Sequence, residues 1–364
     1  MKIKRNKYKL NIREKSFLYD TFDLIVKRGV FINGPIVKDF EKKFSKKIGS
    51  LYCAAFSSSS TAISSIMNIL SKNEEILIPA FSPIPVAAAL KNYNLNMRYV
   101  DVDKETFLMR SDLENFVSKK TRVIMPVHLF GNVFDVDALK KKINRTIHII
   151  EDASQAHFSK INNNFAGCSG LASIFSFYPT KNLNAYGDAG CIITRNSGLI
   201  KKLKSYRNYG LHPKKDLLVN FGNNFRMDEI QAKILLINLR NVIQNNQRRS
   251  SIAKNYINQL KFLPLSFQKI KSNVTSNHHA FSILIEPRFR DKLNLYLRKS
   301  GIDTAIYYKK LLPSMTEKFS DLYLKNNYPN SYFLSKRIIN LPINPFLSIK
   351  EINYICKKIS MFFR

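Results

Sequence analysis

Between about residues 50 and 195 the chain alternates short apolar, β-rich runs with helical stretches. LYCAAF, EILIPA, MRYVDVD, TRVIMPV, IHIIED, SIFSF and GCIIT read as strands. STAISSIMNIL, PVAAALKNY and DVDALKKKI read as helices between them. Strands separated by helical segments form βαβ units, so an α/β fold with a mainly parallel central sheet flanked by helices is expected. In such a sheet, ligands sit at the carboxyl ends of the strands.

From about 226 to 260 the pattern changes. RMDEIQAKILLINLRNVIQNNQRRSSIAKNYINQL carries apolar residues at three- and four-residue spacing, which predicts helix. After FLPL a second region has its own strand, HHAFSILIE, and helix, RDKLNLYLRKSG. A terminal helix follows LPINPFLS. The expected division is a large α/β domain over residues 1–250 and a smaller C-terminal α+β domain over residues 251–364, with a soft boundary near 250 to 262.

Composition narrows the class. The 364 residues are 45% hydrophobic and 23% charged, an ordinary globular balance. No apolar run approaches the ~18 residues of a membrane span. The basic start, MKIKRNKYKLNIREKSF, is not followed by an apolar core and cleavage site, so no signal peptide is read. The four cysteines are scattered without a CxxC pair, which argues against a metal centre or a disulfide framework. A reducing, cytoplasmic location is expected. The formal net charge of +33 raises the question of nucleic acid. Its basic residues are spread along the whole chain, with only short clusters such as residues 140–142, so no nucleic-acid partner is expected. The same field speeds capture of an anionic substrate.

Three segments carry candidate chemistry. FSFYPTKNLNAYGDAG, residues 175–190, sets Lys181 between an aromatic run and small residues, the setting of a lysine held to react rather than solvated. IHIIEDASQAH ends a strand in Glu151 and Asp152, where an acid faces the ligand crevice or simply caps the next helix. SSSSTA, residues 57–62, follows a strand and opens a helix, so its hydroxyls and free N–H groups suit a phosphate or ordinary capping. A further segment, NFGNNFRMDEIQA (220–232), places Asn and Arg before the long helix and reads alone as a loop and cap. Together the parts fit pyridoxal 5′-phosphate (PLP). That cofactor needs a lysine for an imine, an acid at the pyridine nitrogen, a phosphate cradle and flat contacts on its ring. A carboxylate near the nitrogen keeps it protonated by favouring its charged form.

These residues resemble the DegT/StrS-type sugar aminotransferases, fold-type I PLP enzymes. The likeness runs nearly end to end, through NGPIVKDFEKKFSKKIG, SSSSTA, YVDVDKETF, VIMPVHLFGNVFDVDAL, EDASQAH, FSFYPTKNL, GDAG, GNNFRMDEIQA, GIDTAIYY and LPINPFLS. The resemblance implies that Lys181 is the imine lysine and Asp152 the partner of the pyridine nitrogen. It implies that Gln155 lies near the ring hydroxyl, with Ala153 and Ser154 under one ring face. Ser176, Ser60 and Thr61 are then expected to hold the phosphate, and Asn224 to reach the phosphate of the neighbouring subunit of a homodimer with shared sites. Arg226 is the candidate for the donor carboxylate and Tyr307 stands near the sugar. The implied reaction moves an amino group from glutamate, or a similar donor, to a nucleotide-diphosphate-linked keto sugar, with a role in surface glycan synthesis. A PLP-dependent dehydratase or lyase, and a regulatory nucleic-acid-binding relative, are the alternative readings.

The chain departs from the family pattern in three places. Ser60 stands where the phosphate turn usually has glycine. Pro83 stands where many members carry an aromatic residue, leaving ring stacking to Pro83 or Phe81. Tyr307 and Lys309 replace a histidine and a proline near the sugar. His128 and His157 are read as satisfied structural histidines; His278 and His279 open the strand of the second region.

Overall fold

The computed structural model describes residues 2–70, 74–91, 95–212, 217–219 and 221–364. The last two residues of the expected PVAAALKNY helix and Asn220 lie outside them.

The apolar runs become a seven-stranded sheet. Its strands are β1 (Tyr52–Phe56), β2 (Glu75–Pro79), β3 (Asn96–Val100), β4 (Thr121–Ile124), β5 (His148–Asp152), β8 (Ala172–Ser176) and β9 (Gly190–Thr194), while the two-residue strands β6 (Lys160–Ile161) and β7 (Asn164–Phe165) form a hairpin between β5 and β8. The order is β1-β9-β8-β5-β4-β2-β3. All neighbours from β8 to β3 are parallel, and β9 runs antiparallel to both β1 and β8. The sheet is therefore mixed but mostly parallel. Every residue of β8 and β9 is buried, as expected of strands covered on both faces.

Helices cover the faces: α1 (Ile12–Arg28), α2 (Pro35–Ile48), α3 (Ser59–Leu70), α4 (Ile84–Lys91), α5 (Val136–Lys140), α6 (Ser197–Tyr206) and α7 (Glu229–Leu260). Successive strand residues point to opposite faces. Ala54, Phe56, Ile174 and Ile192 accordingly join Ile63 and Ile66 of α3 in one core. Cys53, Ala55, Phe175 and Cys191 join Phe44 of α2 and Leu235 of α7 in another. Helix α1 was not legible as an apolar stripe, because Phe17, Tyr19, Phe22 and Val26 are exposed and only Thr21 and Ile25 are buried. Its start is nonetheless encoded. Asn11 accepts from the Glu14 N–H and Glu14 accepts from the Asn11 N–H, a reciprocal cap.

The C-terminal region contains β10 (Ser266–Phe267), β11 (Val274–Thr275), β12 (Phe281–Leu284) and β13 (Ile338–Leu341), with α8 (Pro287–Lys299), α9 (Leu312–Thr316), α10 (Asp321–Asn327), α11 (Pro329–Arg337) and α12 (Ile349–Phe362). β10, β12 and β13 form a small antiparallel sheet. Its core takes in Leu293, Leu297, Ile352 and Ile355, and also Ile3 from the other end of the chain. Helix α7 runs without a break past residue 250. Leu235, Leu239 and Val242 pack under the large sheet, while Ile252, Tyr256 and Leu260 belong to the C-terminal core. One rigid rod thus crosses the region where the sequence shows only a soft boundary. Among the described residues no helix is long and apolar enough to cross a membrane.

Candidate active site

At the carboxyl ends of β1, β5 and β8 lies a cavity of about 350 Å³. Ser60, Asp152, Ser176 and Lys181 all line it. The chain reaches it by a tight turn: the Lys181 N–H donates to the Tyr178 carbonyl at 2.9 Å, which turns the chain after β8 back over the sheet end. Burial pushes the Lys181 ammonium down to about 8, against the opposing pull of the Asp152 carboxylate. Its amine is therefore easier to deprotonate than a solvated lysine near 10.4.

Alternation along β5 separates its two terminal acids. Asp152 faces the cavity; one of its oxygens accepts from the Ser154 N–H at 3.0 Å. Glu151 points the other way into a closed pocket. It accepts from His128 Nε2 at 2.8 Å and from the N–H groups of Gly167, Ser169 and Gly170. Burial pushes this carboxyl upward, but the His128 contact and the backbone donors outweigh it and hold it below the usual range. His128 Nδ1 accepts from the Phe134 N–H at 3.0 Å, so His128 is a satisfied structural histidine, as expected.

The serine turn is organised by Thr61. Ser58 Oγ accepts from the Thr61 N–H, and Thr61 Oγ1 accepts from the Ser58 N–H and donates to the Ser58 carbonyl. Thr61 is thus used inside the turn and does not line the cavity. Ser58 and Ser59 line it instead, beside Ser60, and neither the Ser59 nor the Ser60 hydroxyl has a hydrogen bond among the described residues. Ser60 sits inside α3 without positive φ, so the residue that replaces the usual glycine needs no special backbone. The glycine that matters is on the facing strand. A Cβ on Gly190 would stand 2.5 Å from Ser58 C and Ser59 N, so only glycine lets β9 approach the turn. Unpaired hydroxyls at the N-terminus of a twelve-residue helix fit a phosphate. Lys181, Asp152 and these serine hydroxyls therefore share one cavity.

The other expected residues, Gln155, Tyr307, Asn224 and Arg226, do not line it. Gln155 is fully engaged, accepting from the Phe130 N–H at 2.9 Å and donating to the Tyr308 hydroxyl at 2.8 Å. Tyr307 packs beside Phe130, with the Arg5 guanidinium 5.4 Å from its ring centroid. Asn224 is exposed and accepts from Arg226 Nε at 2.9 Å; neither residue lines the cavity. Pro83 lines it, whereas Phe81 is buried edge-on against Tyr308. Tyr178 and Asp188 also line it, and neither stands out in the sequence as a site residue.

Behind Lys181 is a buried amide network that single motifs did not signal. Asn182 donates to Asn246 Oδ1 at 2.8 Å and to the Asn277 carbonyl at 2.9 Å. Asn246 and Asn277 both donate to the His157 carbonyl. The His279 ring meets Asn182 Oδ1 at 3.2 Å. The His157 ring itself departs from expectation. It is buried, but neither ring nitrogen has a hydrogen-bond partner among the described residues. Its ring lies between those of Phe175 and Phe177, and burial, reinforced by the charge at Lys181, holds its pKa down at about 3.

The sequence profile of the DegT/DnrJ/EryC1/StrS aminotransferase family matches residues 13–360. The chain belongs to this family. It is 29% identical over 359 residues to the dTDP-3-amino-3,6-dideoxy-alpha-D-galactopyranose transaminase of Aneurinibacillus thermoaerophilus, covering 97% of each chain. It is 30% identical over 348 residues to a pleiotropic regulatory protein of Geobacillus stearothermophilus, covering 94% of this chain and 93% of that one. The crystal structure of S. venezuelae DesV in complex with a ketimine intermediate has a TM-score of 0.89 at 26% identity, over 96% of this chain and 95% of that one. The mixed, mostly parallel sheet with flanking helices is the fold-type I architecture of these aminotransferases.

Proposed function

We propose that this chain is a PLP-dependent aminotransferase that moves the amino group of glutamate, or a similar amino acid, to a keto sugar linked to a nucleoside diphosphate. The observation that carries this reading is the shared cavity of Lys181, Asp152 and the unpaired Ser59 and Ser60 hydroxyls. When bound, PLP supplies an aldehyde carbon and an electron-withdrawing ring. Lys181 is the residue for that aldehyde, and its lowered pKa suits a group that gives and takes a proton near neutral pH. Asp152 is the counter-charge for the ring nitrogen. Ser60 and Ser176 hold the phosphate, joined by Ser59, while Thr61 orders the turn that carries them. Pro83 is the ring-facing apolar group. Gln155, tied to Tyr308, borders the ring hydroxyl, and Tyr307 borders the sugar.

Asn224 and Arg226 serve the neighbouring subunit's site in a homodimer, with Arg226 as the donor-carboxylate residue. The exposure of Asn224, the half-buried position of Arg226 outside this chain's own cavity, and the exposed Phe22 and Phe31 in and after α1 support that reading. The large and small domains meet along α7. The protein works in the cytoplasm, without nucleic acid, and its amino sugar enters surface glycan synthesis. A transaminase relative aligned over 97% of the chain supports the enzymatic reading. One relative is named as regulatory, but the retained lysine and carboxylate favour chemistry here.

The test is incubation of the PLP-loaded protein with glutamate and a panel of nucleotide keto sugars, followed by mass spectrometry. Formation of an amino sugar with release of the keto acid is expected. Failure of glutamate to change the cofactor's absorbance, with no amino sugar formed from any acceptor, would overturn the reading.

A further inference from the structure

Two aromatic residues from different regions of the chain meet face to face near Asp152. Tyr308 lies ahead of α9 in the C-terminal region, and Phe130 lies between β4 and β5 of the large sheet. Their rings stack with centroids 5.9 Å apart and 2° between their planes. Phe81 closes the group edge-on, 5.3 Å from the Tyr308 ring centroid. Both stacked residues have positive φ, 60° at Tyr308 and 59° at Phe130. Bulky side chains rarely adopt that conformation, and it persists only where the surroundings hold it. Here they do. Beside Phe130, Ser159 Oγ donates to the Gly131 carbonyl at 2.8 Å. Beside Tyr308, the Tyr307 N–H donates to Asn340 Oδ1 of β13 at 2.9 Å.

Gln155 joins the two strained residues. Its Oε1 accepts from the Phe130 N–H at 2.9 Å, and its Nε2 donates to the Tyr308 hydroxyl at 2.8 Å. These contacts fix which way the amide points. A backbone N–H needs an acceptor, so the carbonyl end faces Phe130 and the NH₂ end faces Tyr308. An NH₂ group carries two hydrogens, and Gln155 is buried with no further partner for the second among the described residues. Burial above all raises the Tyr308 pKa, against the Gln155 bond and with support from Tyr307 and from the Asp152 carboxylate. Tyr308 is therefore a neutral acceptor and not a base. The field of Asp152 at its hydroxyl also shows that Tyr308 borders the acid that faces the cavity.

We propose that Tyr308 is a positioning residue that holds Gln155 as a hydrogen-bond donor toward the ring hydroxyl of PLP. The proposal rests on the aminotransferase reading and deepens it. With its carbonyl committed to Phe130, Gln155 can offer the cofactor only an N–H. A donor at the ring oxygen favours that oxygen's ionised form. The nitrogen that links Lys181 to the cofactor then gives up its proton at a lower pH. Because Tyr308 belongs to the C-terminal region, docking of that region on the large sheet completes the setting.

The test uses the PLP-loaded full chain and follows the cofactor's visible absorbance across pH. Wild type is compared with Tyr308→Phe, Gln155→Ala and the double variant. Tyr308→Phe keeps the stacked ring and removes only the hydroxyl. Its absorbance midpoint is expected to lie about half a pH unit or more above that of wild type. Gln155→Ala is expected to raise the midpoint at least as far, and the double variant to match Gln155→Ala, because Tyr308 acts through Gln155. Three results overturn the proposal: an unmoved midpoint in Tyr308→Phe, whatever its melting temperature, an unmoved midpoint in Gln155→Ala, or shifts that add in the double variant. The glutamate-driven absorbance change of the cofactor, measured on the same wild-type sample, reports on the aminotransferase reading separately. Its presence with an unmoved midpoint would remove this role of Tyr308 and leave the function standing. Its absence would remove the function and this role with it.

Discussion

Asn182, the residue next to Lys181, donates to Asn246 Oδ1 in the middle of α7 at 2.8 Å, with both side chains buried. The same Asn182 amide reaches the Asn277 carbonyl ahead of β12. The peptide that follows the lysine is therefore clamped to the long helix and to the start of the C-terminal sheet at once. Replacing Asn182 by Ala leaves Asn246 Oδ1 and the Asn277 carbonyl buried without their donor. The expected cost is about 1–3 kcal/mol, the penalty of unsatisfied buried polar groups. A denaturant midpoint equal to wild type would show that the clamp contributes nothing.

The Lys181 amine is expected to titrate near 8 in the cofactor-free protein. Competitive acylation across pH, read by mass spectrometry, measures this directly against surface lysines near 10.4. The linkage has a definite sign. Between about 8 and 10.4 the unfolded chain holds a proton that the folded chain has released, so stability gains a contribution that grows with rising pH. Lys181→Met should lack that gain. Acylation of Lys181 in step with the exposed lysines would refute the assignment.

Glu151 is held ionised inside a shell of donors, so its folded pKa lies below the ordinary carboxyl value. A depressed carboxyl contributes stability that is present above about 4.3 and fades as pH falls through the folded value. Glu151→Gln removes the charge from His128 and presents an NH₂ to the backbone N–H groups of residues 167–170. A loss of about 3 kcal/mol or more at neutral pH is expected, shrinking in acid. Thermal melts of the two proteins at pH 7 and near pH 2, below the carboxyl range, check both parts. A deficit of equal size at both values would show that the charge is irrelevant.

Gly190→Ala would drive a methyl group into the Ser58–Ser59 backbone from 2.5 Å. The turn would have to shift away from β9, and the Ser59 and Ser60 hydroxyls with it. PLP affinity, measured by equilibrium dialysis, is expected to fall roughly tenfold or more while far-UV circular dichroism stays unchanged. Undiminished affinity would mean the serine turn is not the phosphate cradle.

Much of this was legible beforehand. The alternating strands and helices between residues 50 and 195 announced the sheet, because the periods of strand and helix are set by near neighbours. Lys181 was marked by its setting between aromatic and small residues, Asp152 by a strand end, Ser60 by a helix start and Ser176 by the family resemblance, and all four line one cavity. Other assignments needed the fold. Thr61 and Ser59 are both plausible phosphate residues in sequence, yet the cap geometry takes Thr61 out of the cavity and leaves Ser59 in it. Likewise His157 lies in a segment that reads as ordinary structural packing, and only the fold shows its ring buried against Phe175 and Phe177.

The sequence by itself determined which segments are strands and helices, which lysine has the setting of a reactive one, and the family to which these motifs belong. Local spacing is enough for the segments, since propensity and periodicity act over a few residues, while the family came from the likeness of whole motifs. Only the tertiary structure decided that β9 runs against its neighbours and that α7 serves two cores. The physical reason is that these outcomes depend on partners far apart in the chain, such as Gln155 and Tyr308, 153 residues distant and 2.8 Å apart. No short-range pattern records such a pairing; burial and hydrogen-bond satisfaction in the folded chain select it.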